Sequence, residues 1–146
     1  MKELTLDAAQ IIVSAALQNA AKTCTKPIAV VVFDARGADK ALAAQDGCSL
    51  RRVDIARGKA YGALALGMGS RSLFKRAKEQ SFFIASVGEI FGERGAVPVP
   101  GGVLIEDEDG RVIGAVGVSG DTSDNDETAA LAGIAAAGLK ANPGAD

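Results

Sequence analysis

The stretch of residues 98–120 constrains the fold of this chain more than any other. It holds two apolar runs, at about residues 102–106 and 112–119, joined by an acidic turn that ends in glycine. This pattern predicts two antiparallel strands. Glycine recurs at every third place, at Gly114, Gly117 and Gly120, and a glycine inside a strand supplies no packing side chain. We therefore expect another part of the molecule to lie close against this backbone.

A second strand pair precedes the first. Residues 28–33 form a β-branched run, residues 34–37 a turn with glycine at its end, and residues 40–44 a weaker return strand. A strand that is apolar on both faces is typical of the centre of a sheet. Because the return strand has poor β-propensity, we expect its neighbours to hold it in the sheet.

Segments whose apolar residues recur at helical spacing lie before, between and after the two strand pairs. Thr5 is the predicted N-cap of a first helix that ends near Thr23. A second helix is predicted over residues 50–66 with Leu50 inward, a third begins at Ser70, and a last one covers about residues 126–140. Residues 81–88 fit either a helix or an irregular cover, and residues 142–146 are expected to fray. The inward face of the first helix is predicted to contain Leu6, Ala9, Val13, Ala16, Leu17 and Ala20.

The element order is helix, hairpin, helices, hairpin, helix. It predicts an α+β fold in which one mostly antiparallel sheet is covered by helices. A chain of 146 residues that is 48% hydrophobic has enough apolar material for one core. We therefore expect a single domain over residues 1–146.

Charge and composition exclude several classes of partner. A net charge of −2, aromatic residues at 4% and the absence of tryptophan give no support for nucleic-acid binding. No apolar run reaches the roughly 18 residues of a membrane span, so we expect no membrane partner. The N-terminal residues lack a signal-peptide pattern, so a cytoplasmic protein with reduced Cys24 and Cys48 is expected.

The chain contains no histidine. It therefore lacks the usual base of a serine or cysteine triad and the commonest ligand of zinc and of haem iron. We predict no metal site. The weaker iron ligands that remain are Met68, Cys24, Cys48 and Tyr61, each of which also suits a structural role.

Several short motifs, taken in order, resemble the GlcG/HbpS-like family, also called the haem-degrading domain family. They are VVFD at residues 31–34, DG at 46–47, DIARGKA at 54–60, PVPGG at 98–102, VIGAVGVSG at 112–120 and DE at 126–127. The resemblance covers nearly the whole chain. It implies a five-stranded antiparallel sheet in a profilin-like arrangement and assembly into dimers or larger homo-oligomers.

The resemblance also implies haem binding for some members, but this sequence departs from them. It has no histidine, and Ala43, Ala44 and Gln45 stand before the DG motif where many members carry arginine and methionine. We therefore expect no cofactor, with haem possible but disfavoured.

The candidate site is built around the Pro100, Gly101 and Gly102 corner. If this segment borders a ligand cleft, as the resemblance implies, its backbone amides could hold a carboxylate or an enolate oxygen. Taken alone, the glycines are better explained by a turn that needs positive φ. Lys59 lies between small neighbours and could face this cleft, although most lysines stay on the surface. With Asp54 as a further substrate contact, the predicted proton carriers are Lys59, Glu93 and Asp126, the last of which also suits a helix cap.

Three functions follow from these residues and from the family resemblance. The first is a catabolic enzyme, an isomerase, tautomerase or lyase that acts on a small carboxylate or carbonyl compound. The second is a haem- or tetrapyrrole-binding protein, which the missing histidine disfavours. The third is an oligomeric ligand-binding accessory protein without turnover. We place the first slightly ahead of the third, with a small molecule and the chain itself as the expected partners.

Overall fold

The computed structural model describes residues 2–146 as five α-helices around one sheet. The helices are α1 (Leu6–Thr23), α2 (Arg52–Leu66), α3 (Ser70–Glu79), α4 (Ser81–Phe91) and α5 (Ser123–Ala136), with a 3₁₀ turn at Gly92–Arg94. The strands are β1 (Ala29–Asp34), β2 (Asp39–Ala44), β3 (Gly102–Glu106), β4 (Val112–Ser119) and β5 (Lys140–Asn142).

The five strands lie in the order β2-β1-β4-β3-β5, and every pairing between neighbours is antiparallel. Each predicted hairpin is present, and β4 joins the two hairpins by pairing with β1, where Val31 lies opposite Gly117. The predicted α+β fold with a five-stranded antiparallel sheet is confirmed.

The sheet separates two apolar layers. On one face, alternate residues such as Val30 and Val116 pack against α1 and α5. On the other face, Val31 and Phe33 pack against the alanines of α2. This alternation follows from the period of two along a strand, which sends successive side chains to opposite faces.

Close packing against a helix accounts for the glycine at position 117 of β4. A Cβ placed on Gly117 would overlap the carbonyl oxygen of Ala56 in α2. The expectation that another element lies close to this strand is therefore confirmed here, and that element is the predicted second helix. Because the backbone of α2 packs this closely against β4, Lys59, one turn after Ala56, reaches the end of β4.

The inward faces of two helices differ from the prediction. Leu50 is 91% exposed because α2 begins only at Arg52, after a turn in which the Arg52 N–H donates to the Ser49 carbonyl. Leu6, the first residue of α1, is also exposed, whereas Ile12 is fully buried. Periodicity gave the helices correctly, but the burial of the residues at their starts was predicted wrongly.

The C-terminal prediction is wrong in two ways. The last helix begins at Ser123, because the Thr122 hydroxyl caps it by accepting from the Asn125 N–H at 3.2 Å, and it ends at Ala136. The chain then turns at Gly138, where φ is +72°, and continues as β5 along β3. Residues 142–146 are not frayed, since the Pro143 carbonyl accepts from the Arg71 N–H at 3.1 Å.

Helices α3 and α4 form a hairpin at the margin of the sheet. Residues 81–88, which the sequence left open between a helix and an irregular cover, belong to the helix α4. Helix α3 begins at Ser70, as predicted, and its N-cap is Gly69. Within residues 2–146, no helix combines the length and apolar character that crossing a membrane requires.

Candidate functional site

Lys59 and Asp126 form a buried ion pair at the end of β4. Lys59 Nζ donates to Asp126 Oδ2 at 3.0 Å and to the Val118 carbonyl at 2.9 Å. The two residues are 2% and 1% exposed. Burial lowers the pKa of Lys59, and the Asp126 carboxylate opposes that change. The pair links α2 on one face of the sheet to α5 on the other.

Asp126 also fixes the loop that follows β4. Its second oxygen, Oδ1, accepts from the Asp121 N–H at 3.0 Å. The Asp121 carboxylate in turn accepts from the backbone N–H groups of Thr25 and Lys26 at 3.0 and 2.9 Å. The Asn125 side-chain amide and these backbone donors hold the pKa of Asp121 well below its usual range. The region is therefore a connected polar network between four segments of the chain.

The glycine corner lies directly against Lys59. Pro100, Gly101 and Gly102 are all buried. A Cβ on Gly101 would lie 2.9 Å from Lys59 Nζ, and the φ of Gly101 is +122°. The Gly102 N–H is already bound, since it donates to Ser70 Oγ at 2.7 Å. The corner therefore gives the lysine room and packs against α2.

The structure brings together only part of the predicted site. Lys59, Asp126 and the glycine corner meet, as the sequence suggested. Asp54 lies on the exposed side of α2, where it pairs with Arg51. Glu93 is exposed in the 3₁₀ turn, and the contacts of the Lys59 pair do not include it.

Sequence reasoning missed Arg52 and Ser70 as neighbours of this pair. Arg52 donates to Ser119 Oγ at 3.3 Å, at the end of the strand that holds Val118. Arg52, Ala56 and Lys59 are spaced by four and three residues, so they share one face of α2. That spacing was the sequence signal that could have identified Arg52. No such signal existed for Ser70, because its contact with Gly102 joins residues that are distant in sequence.

A groove lies between the end of α1 and the end of β2. It measures about 620 Å³, and we call it the α1–β2 groove. Its walls combine small apolar residues with polar ones: Ala20, Ala21, Cys24, Thr25, Lys26, Pro27, Ala44, Gln45 and Asp46.

The polar groups of this groove differ in whether they already have a partner within the protein. Gln45 Oε1 is occupied, because it accepts from the Ile28 N–H at 2.8 Å. Lys26 is exposed, and no ion pair within residues 2–146 includes it. Cys24 is half-buried, and burial raises the pKa of its thiol. In the described part of the chain, no three His, Cys, Asp or Glu residues are grouped to hold a metal ion.

Known proteins resemble this chain over nearly its whole length. The model of the family described as haem degrading protein HbpS-like matches residues 4–135. No curated protein matches the chain. Among solved structures, PduOC in complex with heme is similar with a TM-score of 0.84 at 22% identity, covering 95% of this chain and 98% of that one.

Two further structures are similar. A double mutant of HbpS from Streptomyces reticuli has a TM-score of 0.78 at 27% identity, covering 92% of this chain and 87% of that one. The Klebsiella pneumoniae protein ORFY has a TM-score of 0.80 at 26% identity, covering 94% and 93%. The family match spans most of the 146 residues, and the fold agrees with it. The chain therefore belongs to the HbpS-like haem degrading protein family.

Proposed function

We propose that this protein binds a tetrapyrrole of the haem class without transforming it. Membership of the HbpS-like family supports this function, and PduOC, a protein of similar fold, has been crystallised in complex with heme. The expectation of no cofactor is therefore replaced by a binding function that does not depend on histidine.

One observation carries the proposal: the α1–β2 groove is a shallow, open depression with mixed polar and apolar walls, against which one face of a macrocycle could lie. Its volume of about 620 Å³ lies within the range of small-molecule pockets, roughly 300–1,000 Å³. Ala21, Ala44 and Pro27 offer apolar surface to a macrocycle. The Lys26 ammonium is free to pair with a carboxylate at its edge.

The residues of the groove fit the macrocycle and its carboxylates better than they fit its iron. No histidine exists to ligate iron. The nearest substitute is Cys24, and a thiolate is the form of cysteine that binds metals. Burial raises the pKa of the Cys24 thiol, which disfavours the thiolate. Apolar contact and ion pairing would therefore supply most of the affinity.

The Lys59–Asp126 pair supports a structural role more than a catalytic one. A proton carrier must come within hydrogen-bond reach of its substrate. The Lys59 ammonium is buried, and it donates to the Val118 carbonyl and to Asp126, both of which belong to the protein. Its geometry suits a clamp between α2 and α5.

A second candidate function remains, the isomerase, tautomerase or lyase expected from the sequence. The observation in its favour is the lowered pKa of Lys59, because a desolvated lysine beside a carboxylate is typical of acid–base sites. It would require the glycine corner to move away and admit a substrate.

Titration with haemin tests the binding function. We expect a saturable change in the Soret band in the micromolar range, about −8 kcal/mol in binding free energy. Ala21→Trp, which fills the groove, should weaken binding by about tenfold or more, whereas Ala65→Trp on α2 should not. Absence of a Soret change would refute the proposal. Equal binding by both variants would show that the α1–β2 groove is not the binding site.

A further inference from the structure

We propose that a small pocket at the tip of the β1–β2 hairpin binds the carboxylate of a small organic acid between Arg57 and Arg94. The pocket measures about 290 Å³ and is open to solvent. It lies where the hairpin turn meets α2 and the 3₁₀ turn, and we call it the hairpin pocket. Its lining residues are Phe33, Gly37, Ala38, Asp39, Arg57 and Arg94. The α1–β2 groove lies at the other end of β1, about 20 Å away at the rise of a β-strand, so the two sites are separate.

Arg94 is fixed in position by the protein but has no acidic partner within residues 2–146. Its guanidinium carbon lies 4.0 Å from the centre of the Tyr61 ring, and its Nη2 atom donates to the Gly37 carbonyl. That bond uses one of the five N–H donors of a guanidinium. Because a side chain that is already ordered loses little freedom on binding, the remaining donors are prepared for an anion.

The turn of the hairpin leaves room for this side chain. Gly37 has a φ of +80°, and a Cβ there would lie 3.0 Å from Arg94 Nη2 and 3.4 Å from the Tyr61 ring. The Asp34 carboxylate stabilises the same turn, because its Oδ1 atom accepts from the Ala38 N–H at 3.1 Å. The wall that the turn forms is therefore set by the fold before any ligand arrives.

The charges that line the hairpin pocket do not cancel. Arg57 Nη2 donates to Asp39 Oδ2 at 3.0 Å, and Asp39 is the acidic residue of the lining. Two guanidinium groups against one carboxylate leave the lining with a net charge of +1. Glu93 precedes Arg94 in the chain, but it is exposed and does not line the pocket. Two cations at one small pocket repel each other, and a bound anion would relieve this repulsion.

Charge and size together select the class of ligand. A single carboxylate would bring the lining to neutrality, whereas a phosphate group carries about −1.5 to −2 charges at pH 7 and would exceed it. Guanidinium groups bind carboxylates through pairs of parallel N–H···O bonds. A volume of about 290 Å³ falls at the lower limit of small-molecule pockets, roughly 300–1,000 Å³. The ligand is therefore an acid of a few carbons, whose chain can lie against the half-buried Ala38.

Titration with butyrate, followed by NMR of the backbone amide groups, tests the hairpin pocket. We expect saturable shifts at the N–H groups of Ala38 and Arg94, with a dissociation constant of about 1 mM or below. n-Butanol has a similar chain without the charge and should give no saturable shift there, and inorganic phosphate should bind more weakly than butyrate. No saturable shift with butyrate, equal shifts with n-butanol, or tighter binding of phosphate would overturn the proposal.

Arg94→Met should weaken butyrate binding by about tenfold or more, because it removes the prepared donors and leaves only the neutral Arg57–Asp39 pair. Arg51→Met is the matched control. It makes the same charge change at an exposed arginine outside the pocket and should leave the affinity within about twofold of wild type. Equal effects of the two variants would mean that Arg94 does not bind the ligand.

Asp39→Asn separates loss of the site from loss of the fold, because a misfolded variant cannot bind more tightly. It frees Arg57 from its acidic partner, so butyrate should bind about threefold more tightly or better. Asp54→Asn removes an exposed acid outside the pocket and should leave the affinity within about twofold of wild type. An Asp39→Asn variant that binds no more tightly than the Asp54→Asn variant would contradict the hairpin pocket as an anion site.

Discussion

Lys59 of α2 and Asp126 of α5 lie 3.0 Å apart and join helices that cover opposite faces of the sheet. Because both groups are buried and neither is left without a hydrogen-bond partner, the pair connects the two layers at the end of β4. A buried charge that loses its partner costs far more than an exposed one. The stability of the fold is therefore expected to depend on both residues together.

Lys59→Met should lower the free energy of unfolding by about 3–5 kcal/mol, because it leaves the Asp126 carboxylate buried without a cation. Urea unfolding followed by circular dichroism measures this loss. Lys22→Met, on the exposed surface of α1, is the matched control and should change stability by less than about 0.5 kcal/mol.

The double variant Lys59→Met with Asp126→Asn should be more stable than Lys59→Met alone. The amide oxygen can still accept from the Asp121 N–H, and no unpaired charge remains. If the double variant lost as much stability as the two single variants added together, the energetic coupling between Lys59 and Asp126 would be contradicted.

Asp121 should make stability fall in acid. Its pKa is lowered in the folded state, so its contribution is fully present above the unfolded pKa of about 3.9 and is lost as the pH falls towards the folded pKa. Chemical unfolding at a series of pH values should show Asp121→Asn less stable than wild type at neutral pH, with the difference shrinking below about pH 4. A difference that is constant with pH would exclude this role.

Gly117→Ala should destabilise the protein by about 1–3 kcal/mol, because the added methyl group would overlap the Ala56 carbonyl. Gly88 is the matched control, since it lies within α4 and a Cβ there meets no neighbour within 4 Å. Gly88→Ala should stabilise the chain by up to about 1 kcal/mol through helix propensity. Thermal unfolding of the two variants measures both changes, and equal shifts would disprove the close packing of α2 on β4.

Lys26→Glu should weaken haemin binding by about tenfold or more, because it places a carboxylate where the ligand's own carboxylates would lie. Lys22→Glu makes the same charge change on α1 outside the groove and should leave the affinity within about threefold of wild type. Equal effects of the two variants would mean that only net charge matters.

The sequence predicted the sheet well because its strands are governed by local patterns. A clear turn follows the β-branched run at residues 28–33, and another precedes the glycine-rich strand at 112–119. Both hairpins could therefore be found without tertiary information. The end of the chain could not be predicted in the same way. β5 is only three residues long and exists because β3 offers an edge to pair with.

The candidate site was predictable only where its residues share one element. Lys59 and the small residues beside it lie on a single helix, so an inward-facing lysine could be proposed. Its pairing with Asp126 depends on a contact across 67 positions of the sequence, and no local pattern indicates that contact. The groove at Cys24 and Lys26 arises from the ends of two elements meeting, and no local pattern indicates it.

Comparison of haemin with iron-free protoporphyrin IX tests the central claim most directly. Both compounds carry the same macrocycle and carboxylates, and only haemin offers iron for ligation. Equilibrium titrations, followed by haemin absorbance and porphyrin fluorescence, should give dissociation constants within about tenfold of each other, or about 1.4 kcal/mol. Failure of both to bind, or binding of haemin about a hundredfold tighter than protoporphyrin, would contradict tetrapyrrole recognition through the macrocycle and its carboxylates.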